Sequence, residues 1–105
     1  MGRPAAEIIS SLKSFKKSIG EKYKIKEMIL FGSAARGRLK EDSDIDLILV
    51  SESFNGKSAI KRASPLYLAW NLDYPVDFLC YTPQEFERLK KVSIVSQALK
   101  EGVAI

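Results

Sequence analysis

The sequence predicts an α/β (α+β) fold in one domain spanning residues 1–105, a small mixed sheet with helices packed mainly on one face. Three observations predict it. Residues 8–19 place Ile8, Ile9, Leu12, Phe15 and Ile19 at helical spacing. Three short apolar runs, at 26–32, 44–50 and 75–82, are bounded by glycine, serine, proline and aspartate as strands are. Helical patterns separate the last two runs and follow the third.

The first helix takes Pro4 in its opening turn and Gly20 as its stop. "KEMILFG" at 26–32 then reads as a strand closed by glycine, and "GSAARGR" has small residues suited to one helical turn. "DIDLILV" at 44–50 is the second strand, after which residues 51–63 are polar and carry no clear period. Ser64-Pro65 reads as an N-cap followed by proline at N1, opening a helix through "LYLAWNL" in which Trp70 is a core or interface anchor. "PVDFLCYT" at 75–82 is the third strand, and Thr82 to Glu85 fits a capping box. A last helical stretch, "SIVSQALKEG", stops at Gly102.

Composition narrows the chemistry. There is no histidine and one cysteine, Cys80, which excludes a disulfide framework, a structural zinc site and histidine acid–base catalysis. A lone cysteine in an apolar strand reads as a reduced core residue, and a cytoplasmic location is expected. No apolar run approaches the roughly 18 residues of a membrane helix, and "MGRPAAEIISSLK" lacks the apolar centre of a secretory signal. The net charge of +4 comes from scattered basic residues that read as solvated helix faces, so direct nucleic-acid binding is not expected.

The acids at the mouth of the second strand are the chemical clue. Alternation puts Asp44 and Asp46 on one face, roughly 7 Å apart, where they repel each other. Such a pair needs water or a cation. Magnesium suits it, since Mg2+ takes one or two carboxylates and completes its shell with water and phosphate oxygens. Asp77 interrupts the third strand and, if the two strands are neighbours, completes a three-carboxylate cluster able to hold two ions against a nucleotide triphosphate. Gly32-Ser33 lets backbone N–H groups approach phosphate. Asp42 lies outside this pattern and reads as a loop or capping acid.

Gly32-Ser33, ten intervening residues, then Asp44-x-Asp46 resembles the signature of the nucleotidyltransferase superfamily related to DNA polymerase beta. "FGSAARGRLKEDSDIDLILV" and "YPVDFLCY" are similar to its minimal nucleotidyltransferases over nearly the whole chain. The resemblance implies that Gly32 and Ser33 hold the triphosphate and that Asp44 and Asp46 bind metal. Asp77 would be the third acid, serving metal and acceptor deprotonation, and Arg36 would match the motif arginine near the phosphates. It further implies two Mg2+ ions, ATP or another NTP as substrate, and transfer of NMP to a protein hydroxyl. The implied partner is a small helical HEPN-domain protein in a toxin–antitoxin pair. Two other readings accompany it: a subunit that neutralises such a partner by contact alone, and transfer to a small molecule. The sequence leaves no room for an appended substrate domain, which disfavours the latter and leaves homo-oligomerisation or a partner to complete an open site.

Overall fold

The computed structural model describes residues 6–37, 44–92, 96 and 99–105. The elements are α1 (Ala6–Tyr23), β1 (Glu27–Phe31), β2 (Ile45–Val50), a 3-10 turn (Glu52–Phe54), α2 (Ala59–Ala69), β3 (Val76–Tyr81), α3 (Pro83–Leu89) and β4 (Val103–Ala104). The sheet order is β3-β2-β1-β4, with β1 antiparallel to β2 and to β4, and β2 parallel to β3. A parallel neighbour needs a crossover, and α2 supplies it.

β2 is central, and all of its residues are buried except Asp46. Ile45, Leu47 and Leu49 face the main core with Leu12, Phe15 and Ile19 of α1, Leu66 of α2, and Met28, Leu30 and Phe78. Ile48 and Val50 face the other way, under Phe86 of α3 with Ile29, Phe31, Tyr81 and Leu99. The two longer helices therefore share one face, and short α3 covers the far end of the other. Truncating a side chain such as Leu47 to alanine would cost about 2–5 kcal/mol here. Trp70 meets Phe15 and Phe78 edge-on, at 5.1 and 5.8 Å between centroids, and its indole N–H donates to the Tyr74 carbonyl, as a core anchor should.

β3 is an edge strand, and two of its outer main-chain groups are occupied. Phe78 N–H donates to the Tyr67 hydroxyl at 3.3 Å, and Arg62 Nη1 donates to the Cys80 carbonyl at 3.0 Å. Arg62 also forks onto both Glu85 oxygens at 2.7 and 3.1 Å, while Glu85 closes the capping box with Thr82. This node ties α2, β3 and α3 together. It holds the Glu85 carboxyl down to about 2, through the Arg62 bonds first and the Thr82 N–H next.

Three sequence expectations are corrected. α1 runs through Gly20 to Tyr23; Lys24 takes the left-handed position (φ 51°) and Ile25 N–H returns to the Gly20 carbonyl, a Schellman-type end without glycine. α2 begins at Ala59 with Ser58 as its N-cap, which leaves Pro65 inside the helix. Proline removes the N–H owed to the Lys61 carbonyl, and the Ser64 hydroxyl turns back to the Ile60 carbonyl at 2.7 Å. The third is β4, a fourth strand that the three-strand reading lacks. The last helical stretch is described only at residue 96 and at 99–101, which are helical and stop at Gly102. Pro4 and Asp42 lie outside the described residues.

Candidate active site

β1 ends against the middle of the sheet, and its last residue, Phe31, lies opposite Asp46. Gly32 follows at φ +75°, a conformation that glycine adopts without penalty. Ser33 to Gly37 then form two successive turns, with Arg36 N–H on the Ser33 carbonyl and Gly37 N–H on the Ala34 carbonyl, both at 3.1 Å. Ala34 and Ala35 are buried, so the turn is pinned to the core by side chains small enough to fit beneath it. The sequence reading of one helical turn is met by these turns and not by a helix.

Glycine at position 32 has a second, sharper reason. A Cβ there would stand 2.5 Å from Asp46 Oδ2. The Asp46 carboxylate therefore lies over the glycine, in space that any other residue would fill. On its other side Asp46 is in register with Asp77 across the parallel β2–β3 pair, in neighbouring strands about 4.8 Å apart. The expectation that the strand of Asp77 adjoins that of Asp46 holds. Asp44 stands just before β2 rather than in it, exposed, yet close enough for its charge to be felt.

These neighbours act on Asp46. Burial raises its pKa first, then the negative charge of Asp77, then that of Asp44. The site thus holds more negative charge than its solvation favours, a condition that a bound cation relieves. Among the described residues no three His, Cys, Asp or Glu gather closely enough to hold a metal unaided. The expected three-carboxylate cluster of Asp44, Asp46 and Asp77 is therefore not closed in this structure; a hard divalent ion that takes one or two carboxylates and draws its other ligands from water and phosphate would not need it to be. The donor set fits magnesium: all oxygen, partly exposed, and short of a closed protein cage.

Arg36 pairs with Glu101, Nη1 to Oε2 at 2.9 Å, with both side chains about half exposed. Such a pair contributes little stability. Sequence reasoning missed Glu101, and with a sequence separation of 65 no local spacing signals it. The segment carrying Glu101 is nonetheless firmly placed. A Cβ at Gly102 would stand 2.8 Å from Ile29 Cγ2, Val103 and Ala104 pair with β1, and Ile105 N–H donates to the Met28 carbonyl.

A groove of about 690 Å³ lies elsewhere. It runs along the serines of α1 and residues 71–74, and none of the three acids lines it. The acids instead occupy an open rim where β1 ends and β2 and β3 begin.

Comparison with known proteins bears on the family and the fold. The family described as "Nucleotidyltransferase domain" matches residues 12–105. A Methanocaldococcus jannaschii protein provisionally named a protein adenylyltransferase is 29% identical over 101 residues, covering 94% of this chain and 99% of that one. The protein adenylyltransferase MntA of Thermococcus cleftensis is 44% identical over 43 residues, which cover 41% of this chain and 43% of that protein. The fold of a Sulfolobus solfataricus protein, solved by crystallography and provisionally named a nucleotidyltransferase, superposes with a TM-score of 0.56 at 23% identity, covering 99% of this chain and 89% of that chain. The family's match thus takes in the glycine turn and all three acids, and the chain belongs to the nucleotidyltransferase domain family.

Proposed function

We propose that the protein transfers a nucleotidyl group, AMP from ATP, to a hydroxyl of a partner protein with the help of Mg2+. The observation that carries this reading is Asp46 placed over Gly32 and beside Asp77. In it, Gly32 and Ser33 present the turn to the triphosphate, and Asp44 and Asp46 hold magnesium with Asp77 as third acid. Magnesium, when bound, neutralises charge on the phosphates and eases the approach of a nucleophile. The acceptor oxygen forms a bond to the α-phosphorus while the bond from that phosphorus to the oxygen bridging to the β-phosphate breaks. Pyrophosphate leaves, and the hydroxyl proton passes to the Asp77 carboxylate. Asp77 is suited to this because it is exposed at the rim, where an acceptor can reach it.

Arg36 joins the phosphates by exchanging a half-exposed carboxylate for a phosphate oxygen. The acceptor is a helical HEPN-type protein, and the pair forms a toxin–antitoxin system in the cytoplasm. The naming of two relatives as protein adenylyltransferases supports AMP and a protein acceptor. The open rim supports a site completed by a second molecule.

The test is incubation with Mg2+, ATP labelled at the α-phosphate, and the co-expressed neighbouring protein, beside an Asp44→Ala/Asp46→Ala variant. Label is expected on the neighbour only with the unaltered acids. If no label moves and the variant still neutralises its neighbour, contact is the mechanism and the catalytic reading is wrong.

A further inference from the structure

α2 carries an apolar stripe that stands exposed among the described residues. Ile60, Ser64 and Leu68 recur at i, i+4 and i+8 along its outward side, spanning about 12 Å. Ile60 is 77% and Leu68 89% exposed, whereas Leu66, on the inward side, is fully buried. The hydroxyl of Ser64 is turned back to the Ile60 carbonyl, so the stripe offers no strong polar donor between its two large residues. Leu68 is also one wall of a groove of about 580 Å³. Pro65 and Ala69 continue that wall, and Ser18, Ile19, Lys22 and Tyr23 of α1 form the other.

α2 contributes only positive charge to this surface. α2 contains no acid; its cations are Lys61 and Arg62, and Lys57 precedes it. Arg62 is neutralised by Glu85, which leaves Lys57 and Lys61 exposed beside the stripe. In the groove, Lys22 is the lining charge, with its ammonium 5.6 Å from the centre of the Tyr23 ring. An apolar groove with a cationic rim is complementary to an apolar stripe with an anionic rim.

We infer that the α1–α2 groove docks an amphipathic helix of a partner protein, with leucine-type side chains over Leu68 and Ile60 and Asp or Glu facing Lys22, Lys57 and Lys61. The groove lies on the helical face of the sheet, opposite the acids, so docking there is separate from nucleotidyl transfer and leaves the rim free. It would fix a partner to the protein whether or not nucleotide is present.

The probe is a pair of synthetic helices of about 20 residues, long enough to fold when bound. Both carry leucine at i, i+4, i+7 and i+11; one is flanked by glutamate, the other by lysine. Binding is read by fluorescence anisotropy without nucleotide or metal. The glutamate helix is expected to bind at least about tenfold more tightly than the lysine helix, and to weaken as salt screens the rim. Leu68→Ala is expected to weaken it about tenfold, and Lys22→Glu/Lys61→Glu to reverse the preference. Both variants alter exposed side chains, and unchanged thermal melts show that they fold. Equal binding of the two helices, or no effect of Leu68→Ala, overturns the inference. Concentration-dependent dimerisation abolished by Leu68→Ala also overturns it, because the occupant is then a second copy. These readouts need no catalysis, so they stand or fall apart from the adenylyl-transfer test.

Discussion

Replacing Gly32 with alanine tests the geometry at the centre of the site. Two penalties arise. An alanine held at φ +75° carries the left-handed cost of about 1–2 kcal/mol. Its Cβ also meets Asp46 Oδ2 at 2.5 Å, so the carboxylate must retreat by about 0.9 Å or more to reach ordinary contact. The two costs separate in a double-mutant cycle with Asp46→Ala. In that background the collision is gone and only the backbone penalty remains, so Gly32→Ala should be less damaging by about 1 kcal/mol. Urea denaturation of the four proteins without metal measures this, and thermal melts should shift by about 4–8 °C for each kcal/mol. The expected sign is definite: Asp46→Ala relieves more in the alanine-32 protein than in the parent. Additivity within about 0.5 kcal/mol would refute the placement of the carboxylate over the glycine, and the account of why glycine is required would fail with it.

Three further outcomes follow from other parts of the fold. Asp46→Asn should raise the melting temperature at neutral pH without metal. The folded pKa of Asp46 is raised, so its stabilising contribution is present at low pH and lost as pH rises through that value, and asparagine removes the loss; a lower melt at pH 7 would contradict this. Glu85 has the opposite sign: with its pKa lowered from 4.5 to about 2, its contribution is complete above its ordinary value and disappears as pH falls from about 4.5 towards 2. Glu85→Gln should therefore flatten the acid limb of the stability profile, and a parallel limb would show that other carboxylates govern acid unfolding. Gly20→Ala should stabilise by about 0.5–1 kcal/mol, because Gly20 is helical and its missing Cβ would meet nothing within 4 Å; destabilisation in urea would count against that helix path.

Local chemistry was legible where the sequence alone determines it. The Thr82–Glu85 capping box is written in four adjacent residues, and β2 is a continuous apolar run. The pairing of Asp46 with Asp77 needed one inference, that β2 and β3 are neighbours, which the intervening helix pattern makes natural. The start of α2 was hidden because its first turn faces solvent: Ile60 is exposed, so no amphipathic period marks it, and Ser64-Pro65 imitates a start. Gly20 was a false stop. The C-terminal end of α1 is fixed from outside, where the Ser51 and Ser53 hydroxyls donate to the Tyr23 carbonyl. β4 and the Arg36–Glu101 pair depend on contacts between distant parts of the chain, which composition and spacing do not encode.

The order β3-β2-β1-β4 has a consequence for how the chain reaches this state. β1 can pair with β2 early, across a short stretch of sequence, and β3 can join once α2 has formed. The other side of β1 receives its partner last, from residues 103–104. Until then "EMILF" presents an apolar strand with unpaired main-chain groups on one side, a template for another nascent chain. The strand that leads into Gly32 is thus the one most exposed to mispairing during synthesis. A brief failure of the 102–105 segment to dock would be felt as lost yield before it was felt as lost chemistry.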